Sequence, residues 1–335
     1  MSTKPPLPPL ASPPYRRSGV SGLCLSPLGL GLAPRFPARL SSTLVGHALD
    51  LGVTHFDLSC PSAGRHQAEE EIGTALAPWR TWREEMTLTV RVGLGTGPHP
   101  SAGYGSRRHI LGSLDAFLSR TGQDYVDVLY LHRHDPNTPL EESARAMASA
   151  VNQGKALYVG LSSFPAAHVR QVASLLSALG TPAVAYQGTY SLLDRWAEVQ
   201  VLDLLDELGI GFIACAPMAH GTLTRSRRPP QPRATDAVDA LVTLTQIAAS
   251  RQQPLEHLAL AWCLRNPAVT SALLRTSSLE HLTANHHAAQ YTAFYPAELA
   301  ALDRCCPPDR EDPSGHRPQA GLASGPGMTS VPCRL

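Results

Sequence analysis

Residues 52–62 read Gly52-Val53-Thr54-His55-Phe56-Asp57-Leu58-Ser59-Cys60-Pro61-Ser62, a short apolar run that ends in an acid and a polar stretch. A strand that carries an acid at its C-terminal end is typical of a parallel α/β barrel. The interior of such a barrel is packed with side chains, and only the strand ends face solvent. Asp57 is therefore the first candidate for chemistry, and the fold depends on whether the chain repeats this unit.

The chain repeats the unit eight times, with short apolar or β-branched runs alternating with amphipathic segments of helical period. The strand-like runs lie at 27–32, 53–58, 87–92, 126–131, 156–161, 183–187, 210–214 and 270–274. The helix-like segments lie at 37–50, 67–78, 107–120, 140–153, 166–178, 197–208, 235–250 with 255–265, and 279–287. This order predicts an α/β protein with a (β/α)8 barrel, the TIM-barrel architecture.

The alternative fold is a doubly wound open sheet that binds a dinucleotide at its first turn. That fold needs a G-x-G-x-x-G pattern after the first strand. The sequence at 29–34 is Gly-Leu-Gly-Leu-Ala-Pro, which lacks the third glycine and ends in proline. The barrel is therefore favoured.

Composition divides the chain into one domain with two tails. Residues 1–14 are rich in proline and predict a disordered arm, and residues 305–335 predict a flexible tail rich in Pro, Gly and Ser. The segment 15–304 between them is the predicted barrel domain.

The charge balance limits the classes of partner that the sequence predicts. With a formal net charge of +1 over 335 residues, no basic excess indicates nucleic acid or an anionic membrane surface. The first residues contain proline where a signal peptide needs an apolar core, and no apolar run is long enough to cross a bilayer. A cytoplasmic protein is predicted, and a homo-oligomer is left open. Seven cysteines, widely spaced apart from the adjacent Cys305 and Cys306 and without CxxC pairs, predict mostly free thiols and no metal site.

The residues at the predicted strand ends are the candidates for a site at the mouth of the barrel. They are Asp57, Arg91, His132, Ser162 with Ser163, Gln187, Cys215 and Arg275. His132 is either a neutral imidazole aimed into the mouth, where it polarises a carbonyl or binds an anion, or a capping histidine in a solvated loop. Gln187 either pairs with an amide of a ligand or is a satisfied polar residue of the rim.

Four stretches resemble the aldo-keto reductases. They are GVTHFD at 52–57, YVDVLYLHRHD at 125–135, QGKALYVGLSSF at 153–164 and QGTYSLLDR at 187–195. Within that family the chain looks most similar to the branch of L-glyceraldehyde 3-phosphate reductases and potassium-channel beta subunits. The resemblance runs over about 15–303, so it covers the whole predicted barrel.

The resemblance implies an oxidoreductase that binds NADPH across the mouth of the barrel and reduces a small aldehyde or ketone. The family uses a tyrosine to protonate the carbonyl oxygen, a lysine and an aspartate that tune it, and a histidine that orients the substrate. Asp57 and His132 match the last two, whereas Ser62 stands in place of the tyrosine and Arg91 in place of the lysine. A serine hydroxyl is a poor acid near neutral pH, and a guanidinium does not replace an ammonium. The catalytic set is therefore altered.

The resemblance also assigns the cofactor contacts. Ser162, Ser163 and Gln187 match the residues that hold the nicotinamide carboxamide, and Cys215 stands where an aromatic ring usually stacks on the nicotinamide. The other implied contacts are Pro217, Met218 and Gly221 after that strand, and Ser277, Ser278, Glu280 and Asn285 at the adenosine end. NADPH is the expected cofactor. NADH is left open because Ser278 occupies the usual place of an arginine for the 2′-phosphate.

Three functions follow from these residues. The first is an NAD(P)H-dependent reductase of small carbonyl compounds with weakened activity. The second is a pseudoenzyme, a catalytically inactive homologue that senses a nucleotide or binds a partner. The third is a barrel that has lost the dinucleotide and uses Arg91 and His132, with Cys60, as an anion pocket.

Overall fold

The structure, a computed structural model, describes residues 15–32, 37–58, 66–93, 104–224 and 235–308. A short antiparallel hairpin comes first, with β1 (Arg16–Arg17) paired to β2 (Cys24–Leu25). Eight parallel strands then close into a barrel, in which the last strand pairs with the first. They are β3 (Leu28–Leu32), β4 (His55–Leu58), β5 (Thr87–Val92), β6 (Val126–His132), β7 (Ala156–Ser162), β8 (Ala183–Thr189), β9 (Gly211–Cys215) and β10 (Val269–Leu274). The predicted barrel is confirmed, and the open sheet is wrong.

Helices surround the strands. They are α1 (Ala38–Asp50), α2 (His66–Leu76), α3 (Arg107–Thr121), α4 (Leu140–Asn152), α5 (Ala166–Ala178), α6 (Trp196–Gln200), α7 (Leu202–Glu207), α8 (Thr235–Ser250), α9 (Leu255–Arg265), α10 (Leu279–Ala288) and α11 (Pro296–Cys305). Gly52 and Gly209 follow α1 and α7 with φ of 75° and 68°, the left-handed conformation that ends a helix.

Two elements differ from the sequence prediction. The single helix expected over 197–208 is two short helices, because Val201 has a φ of −132° between them. Helix α11 was not predicted, and it packs against α8 with Leu302 fully buried. The predicted barrel boundary at 304 therefore falls in the last turn of α11.

The two faces of the strands bury against separate clusters. The larger cluster lies between strands and helices and includes Phe56 and Leu131. The smaller one fills the barrel interior, since strand residues alternate between the two faces. In it Leu25 of the hairpin packs with Tyr130 and Ile213. The hairpin thus closes the N-terminal end of the barrel.

The opposite, C-terminal end is shaped by abrupt turns. Gly93, Arg133, Ser163 and Ala216 each follow the last residue of a barrel strand, and each has a positive φ, of 92°, 71°, 54° and 51°. Left-handed backbone at a residue other than glycine costs energy and is frequent where a local geometry is needed for function. These turns hold the strand-end side chains at the mouth.

Replacing Gly160 by alanine should destabilise the fold, because an added Cβ would lie 2.5 Å from the Tyr130 ring and 2.7 Å from the Ala185 carbonyl oxygen. Overpacking of this kind costs about 1–3 kcal/mol. Gly112 in α3 is the matched control: its added Cβ would meet nothing within 4 Å, and alanine there should stabilise by up to about 1 kcal/mol. Urea denaturation measures both, and equal effects would contradict the position of Tyr130 inside the barrel.

Candidate active site

The carboxylate of Asp57 lies inside the mouth of the barrel, 1% exposed. Arg91 on the neighbouring strand β5 places Nη2 3.1 Å from Asp57 Oδ2, so the two side chains form an ion pair. Thr89 Oγ1 and Gln187 Nε2 each donate a hydrogen bond of 3.1 Å to Asp57 Oδ1. Because β4 and β8 lie on opposite sides of the closed barrel, the bond from Gln187 crosses its interior.

The amide oxygen of Gln187 is also engaged. It accepts a hydrogen bond of 2.6 Å from Arg91 Nη1 and one of 3.2 Å from Ser162 Oγ. A carbonyl oxygen has two lone pairs, so both are occupied. We refer to Asp57, Thr89, Arg91, Ser162 and Gln187 as the cross-barrel network.

His132 joins this network at the end of β6. Its Nδ1 lies 3.0 Å from Ser162 Oγ. The Ser162 hydroxyl has one proton, which it donates to Gln187 Oε1, so its oxygen must accept from His132 Nδ1–H. The hydrogen-bond pattern therefore assigns the neutral His132 ring a proton on Nδ1, and Nε2 carries the lone pair.

Cys215 ends β9 beside the network, and its thiol is held protonated. Burial raises its pKa to about 12, with the Asp57 charge adding to the shift and the charges of Arg91 and Arg275 opposing it. A thiol in that state is a weak nucleophile at neutral pH. Cys215 is therefore a small half-buried group rather than a reactive one.

The floor beneath the network is uncharged at neutral pH. His55 is fully buried with Nδ1 2.9 Å from Ser271 Oγ, and burial lowers its pKa to about 4, against a smaller opposing effect of Asp57. Burial and the Asp57 charge raise the pKa of Tyr130 well above its ordinary value. The Asp57–Arg91 pair thus lies above a neutral, packed layer of the barrel.

The predicted adenosine contacts gather at α10, away from the network. Ser278 caps this helix by accepting a hydrogen bond of 3.2 Å from the His281 N–H, while Ser277 and Glu280 are exposed. Asn285 is buried, and its Oδ1 has no hydrogen-bond partner among the described residues. A buried acceptor left unpaired costs about 1–3 kcal/mol, so this atom fits a donor group of a bound base.

The remaining predicted residues lie on the rim loops. Ser163 donates its backbone N–H to the Gln187 carbonyl oxygen at 3.0 Å. Pro217 and Met218 lead into the short 3₁₀ turn that ends at Gly221, whose N–H bonds the Met218 carbonyl oxygen at 2.9 Å. Arg275 follows β10, and its Cγ lies 3.1 Å from where a Cβ at Gly31 would stand.

Two predicted residues, Cys60 and Ser62, lie outside the described residues. Three groups of the site escaped the sequence analysis: Thr89, His55 and Tyr130. Each stands two residues before a strand-end candidate on the same strand, at Arg91, Asp57 and His132 respectively. The period of two along a strand could have identified them as facing the same interior.

The comparisons with known proteins agree with the barrel fold. The family model described as "Aldo/keto reductase family" matches residues 27–306, and the chain belongs to this family of oxidoreductases. Among curated proteins, L-glyceraldehyde 3-phosphate reductase of Escherichia coli K12 is 36% identical over 318 residues, covering 87% of this chain and 91% of that protein. The protein of the same name from Escherichia coli O157:H7 matches equally. Members of the family generally use NAD(P)H and bind a carbonyl substrate. None of the helices in the described part of the chain is long and apolar enough to span a membrane.

Replacing Arg91 by methionine should destabilise the protein by roughly 3–5 kcal/mol, because it leaves the buried Asp57 charge unpaired. The double change Asp57→Asn with Arg91→Met should recover most of that loss, since no charge then remains. The control is Arg108→Met on the exposed side of α3, which should stay within about 0.5 kcal/mol of wild type. Guanidinium denaturation measures the free energy of unfolding of each variant. An Arg91→Met protein as stable as the double variant would contradict the pairing of Arg91 with Asp57.

His55 should make the protein less stable in acid. Its folded pKa of about 4 lies below the ordinary 6.5, so between these pH values the unfolded chain binds a proton that the folded one does not. The free energy of unfolding should therefore fall as pH drops through this window, by about 3 kcal/mol in total. In His55→Asn that part of the loss should vanish, whereas exposed His281→Asn should retain it. Urea titrations at several pH values measure the difference.

Proposed function

We propose that the protein is an NAD(P)H-dependent reductase of a small aldehyde or ketone that works slowly because Ser62 and Arg91 replace the family's tyrosine and lysine. The observation that carries this proposal is the hydrogen-bonded link from His132 through Ser162 and Gln187 to the Asp57–Arg91 pair. It presents one positioned, titratable ring at the mouth of the barrel.

The residues fit the cofactor in part. The unpaired Oδ1 of Asn285 and the start of α10 suit the adenosine end of a dinucleotide. Ser162, Ser163 and Gln187 would hold the nicotinamide amide once it displaces Arg91 Nη1 or Ser162 Oγ from Gln187 Oε1. A reduced nicotinamide, when bound, supplies the hydride that converts a carbonyl to an alkoxide.

The alkoxide needs a proton, and His132 is the group that can deliver it. Its Nδ1–H is bound to Ser162, so a donated proton must come from Nε2 of the imidazolium. After the transfer the ring is neutral, with its Nδ1 bond unchanged. The imidazolium charge also stabilises the oxyanion as it forms.

The other candidate groups are weaker acids for this step. Burial raises the pKa of the Cys215 thiol to about 12, and the Arg91 guanidinium does not give up a proton in proteins. A serine such as Ser62 is likewise a poor acid at neutral pH. His132 is therefore the acid of choice, and Arg91 serves to neutralise Asp57.

The second candidate function is a nucleotide-sensing homologue without turnover. It is favoured by the two bonds that already occupy Gln187 Oε1, because they leave no acceptor for a nicotinamide amide. The third reading, an anion pocket at Arg91, is disfavoured because Asp57 already balances the guanidinium charge. Binding of NADPH without oxidation by any carbonyl would support the second candidate.

The test is oxidation of NADPH and of NADH with glyceraldehyde 3-phosphate and uncharged glyceraldehyde between pH 5.5 and 8.5. The wild-type kcat should fall about tenfold per pH unit on the alkaline limb, as a protonated acid requires. His132→Asn keeps a donor for Ser162 but has no acid, so kcat should drop by ~10²-fold or more and lose this slope. His257→Asn, on α9, is the control. A His132→Asn enzyme with wild-type rate and slope would refute the proposal.

A further inference from the structure

We propose that Arg91 limits dinucleotide affinity by holding the amide oxygen of Gln187 inside the cross-barrel network. This inference rests on the proposed function, because it concerns the nicotinamide end of the same cofactor site. It makes Arg91 a positioning residue that acts through Gln187.

The argument begins with the acceptors on Gln187. The side chain is 1% exposed, and its Oε1 receives Arg91 Nη1 at 2.6 Å and Ser162 Oγ at 3.2 Å. A carboxamide N–H of a ligand can bond this oxygen only by displacing one of them. The bond from Arg91 is shorter and charge-assisted, which makes it about twice as strong as a neutral one. Both lone pairs of Gln187 Oε1 are therefore occupied by protein donors before a ligand binds.

Arg91 can hold Asp57 and Gln187 at the same time because its guanidinium has two terminal nitrogens. Nη2 pairs with Asp57 on the adjacent strand β4, while Nη1 reaches Gln187 on β8, three strands away from β5. A lysine has a shorter side chain and one nitrogen, so it would stay with Asp57 on the near side. Arg91→Lys thus keeps the charge that Asp57 needs and releases Gln187 Oε1.

The two ends of the site then differ in whether a ligand must break a hydrogen bond of the protein to form its own. At α10, Asn285 Oδ1 is buried with no hydrogen-bond partner among the residues described, so a base donor gains a bond there without breaking one. At the mouth, a nicotinamide amide must displace Arg91 Nη1 or Ser162 Oγ from Gln187 Oε1 to gain its own bond. The adenosine half should supply most of the wild-type affinity, and the nicotinamide half little.

The experiment measures dissociation constants of NADPH, NADH and ADP-ribose by calorimetry for wild type, Arg91→Lys and the exposed control Arg108→Lys. In wild type NADH should bind no more than about threefold tighter than ADP-ribose. In Arg91→Lys, NADPH and NADH should bind about tenfold tighter, the gain of one hydrogen bond, and ADP-ribose should be unchanged. In a Gln187→Leu background, Arg91→Lys should produce no gain.

The outcomes separate the two proposals. Tightening confined to the nicotinamide dinucleotides and lost with Gln187→Leu supports the role of Arg91. An equal effect on ADP-ribose, or wild-type NADH binding far tighter than ADP-ribose, overturns it while leaving the proposed function intact. If wild type and Arg91→Lys bind neither dinucleotide nor ADP-ribose, the proposed function fails and this inference fails with it. The ratio of the dissociation constants of NADH and ADP-ribose in wild type tests the inference even if a variant does not fold.

Discussion

The buried carboxylate of Asp57 is the constraint on which the mouth of this barrel depends. An unpaired charge in a packed interior is costly, so it needs a cation and hydrogen-bond donors around it. Arg91 supplies the charge, and Thr89 and Gln187 supply the donors. Because these groups stand on β4, β5 and β8, satisfying one carboxylate ties strands across the diameter of the barrel.

The same bonds shape what the site can do chemically. Through Ser162 the network sets the tautomer of His132, so the proposed acid function falls to Nε2. Through Arg91 it also occupies the amide that a nicotinamide would use. Stability and binding therefore compete for one side chain, Gln187. In a slow reductase the nicotinamide amide would displace a protein donor from Gln187 often enough for turnover, whereas in a nucleotide sensor it would not.

The sequence predicted the barrel well because the strand period of two residues and the helix period of 3.6 residues are local properties of the chain. The strand-end residues, including Asp57 and Arg91, followed from the same pattern. The sequence could not show that Gln187 bonds Asp57, since these residues are 130 positions apart and spacing does not say which inward side chains meet. It also missed α11, whose burial against α8 is a tertiary contact. Gln187 was expected to face a ligand amide, and only the three-dimensional arrangement reveals its internal partners.

The central claim, that the Arg91 guanidinium is held by both Asp57 and Gln187, can be measured directly by NMR of arginine-labelled protein without ligand. The account predicts separate Nη1–H and Nη2–H signals for Arg91, with slow rotation and slow exchange with water, because each nitrogen donates to a different buried acceptor. In Gln187→Leu the two sets should merge or exchange faster. A single averaged, rapidly exchanging signal in the wild-type protein would contradict the account.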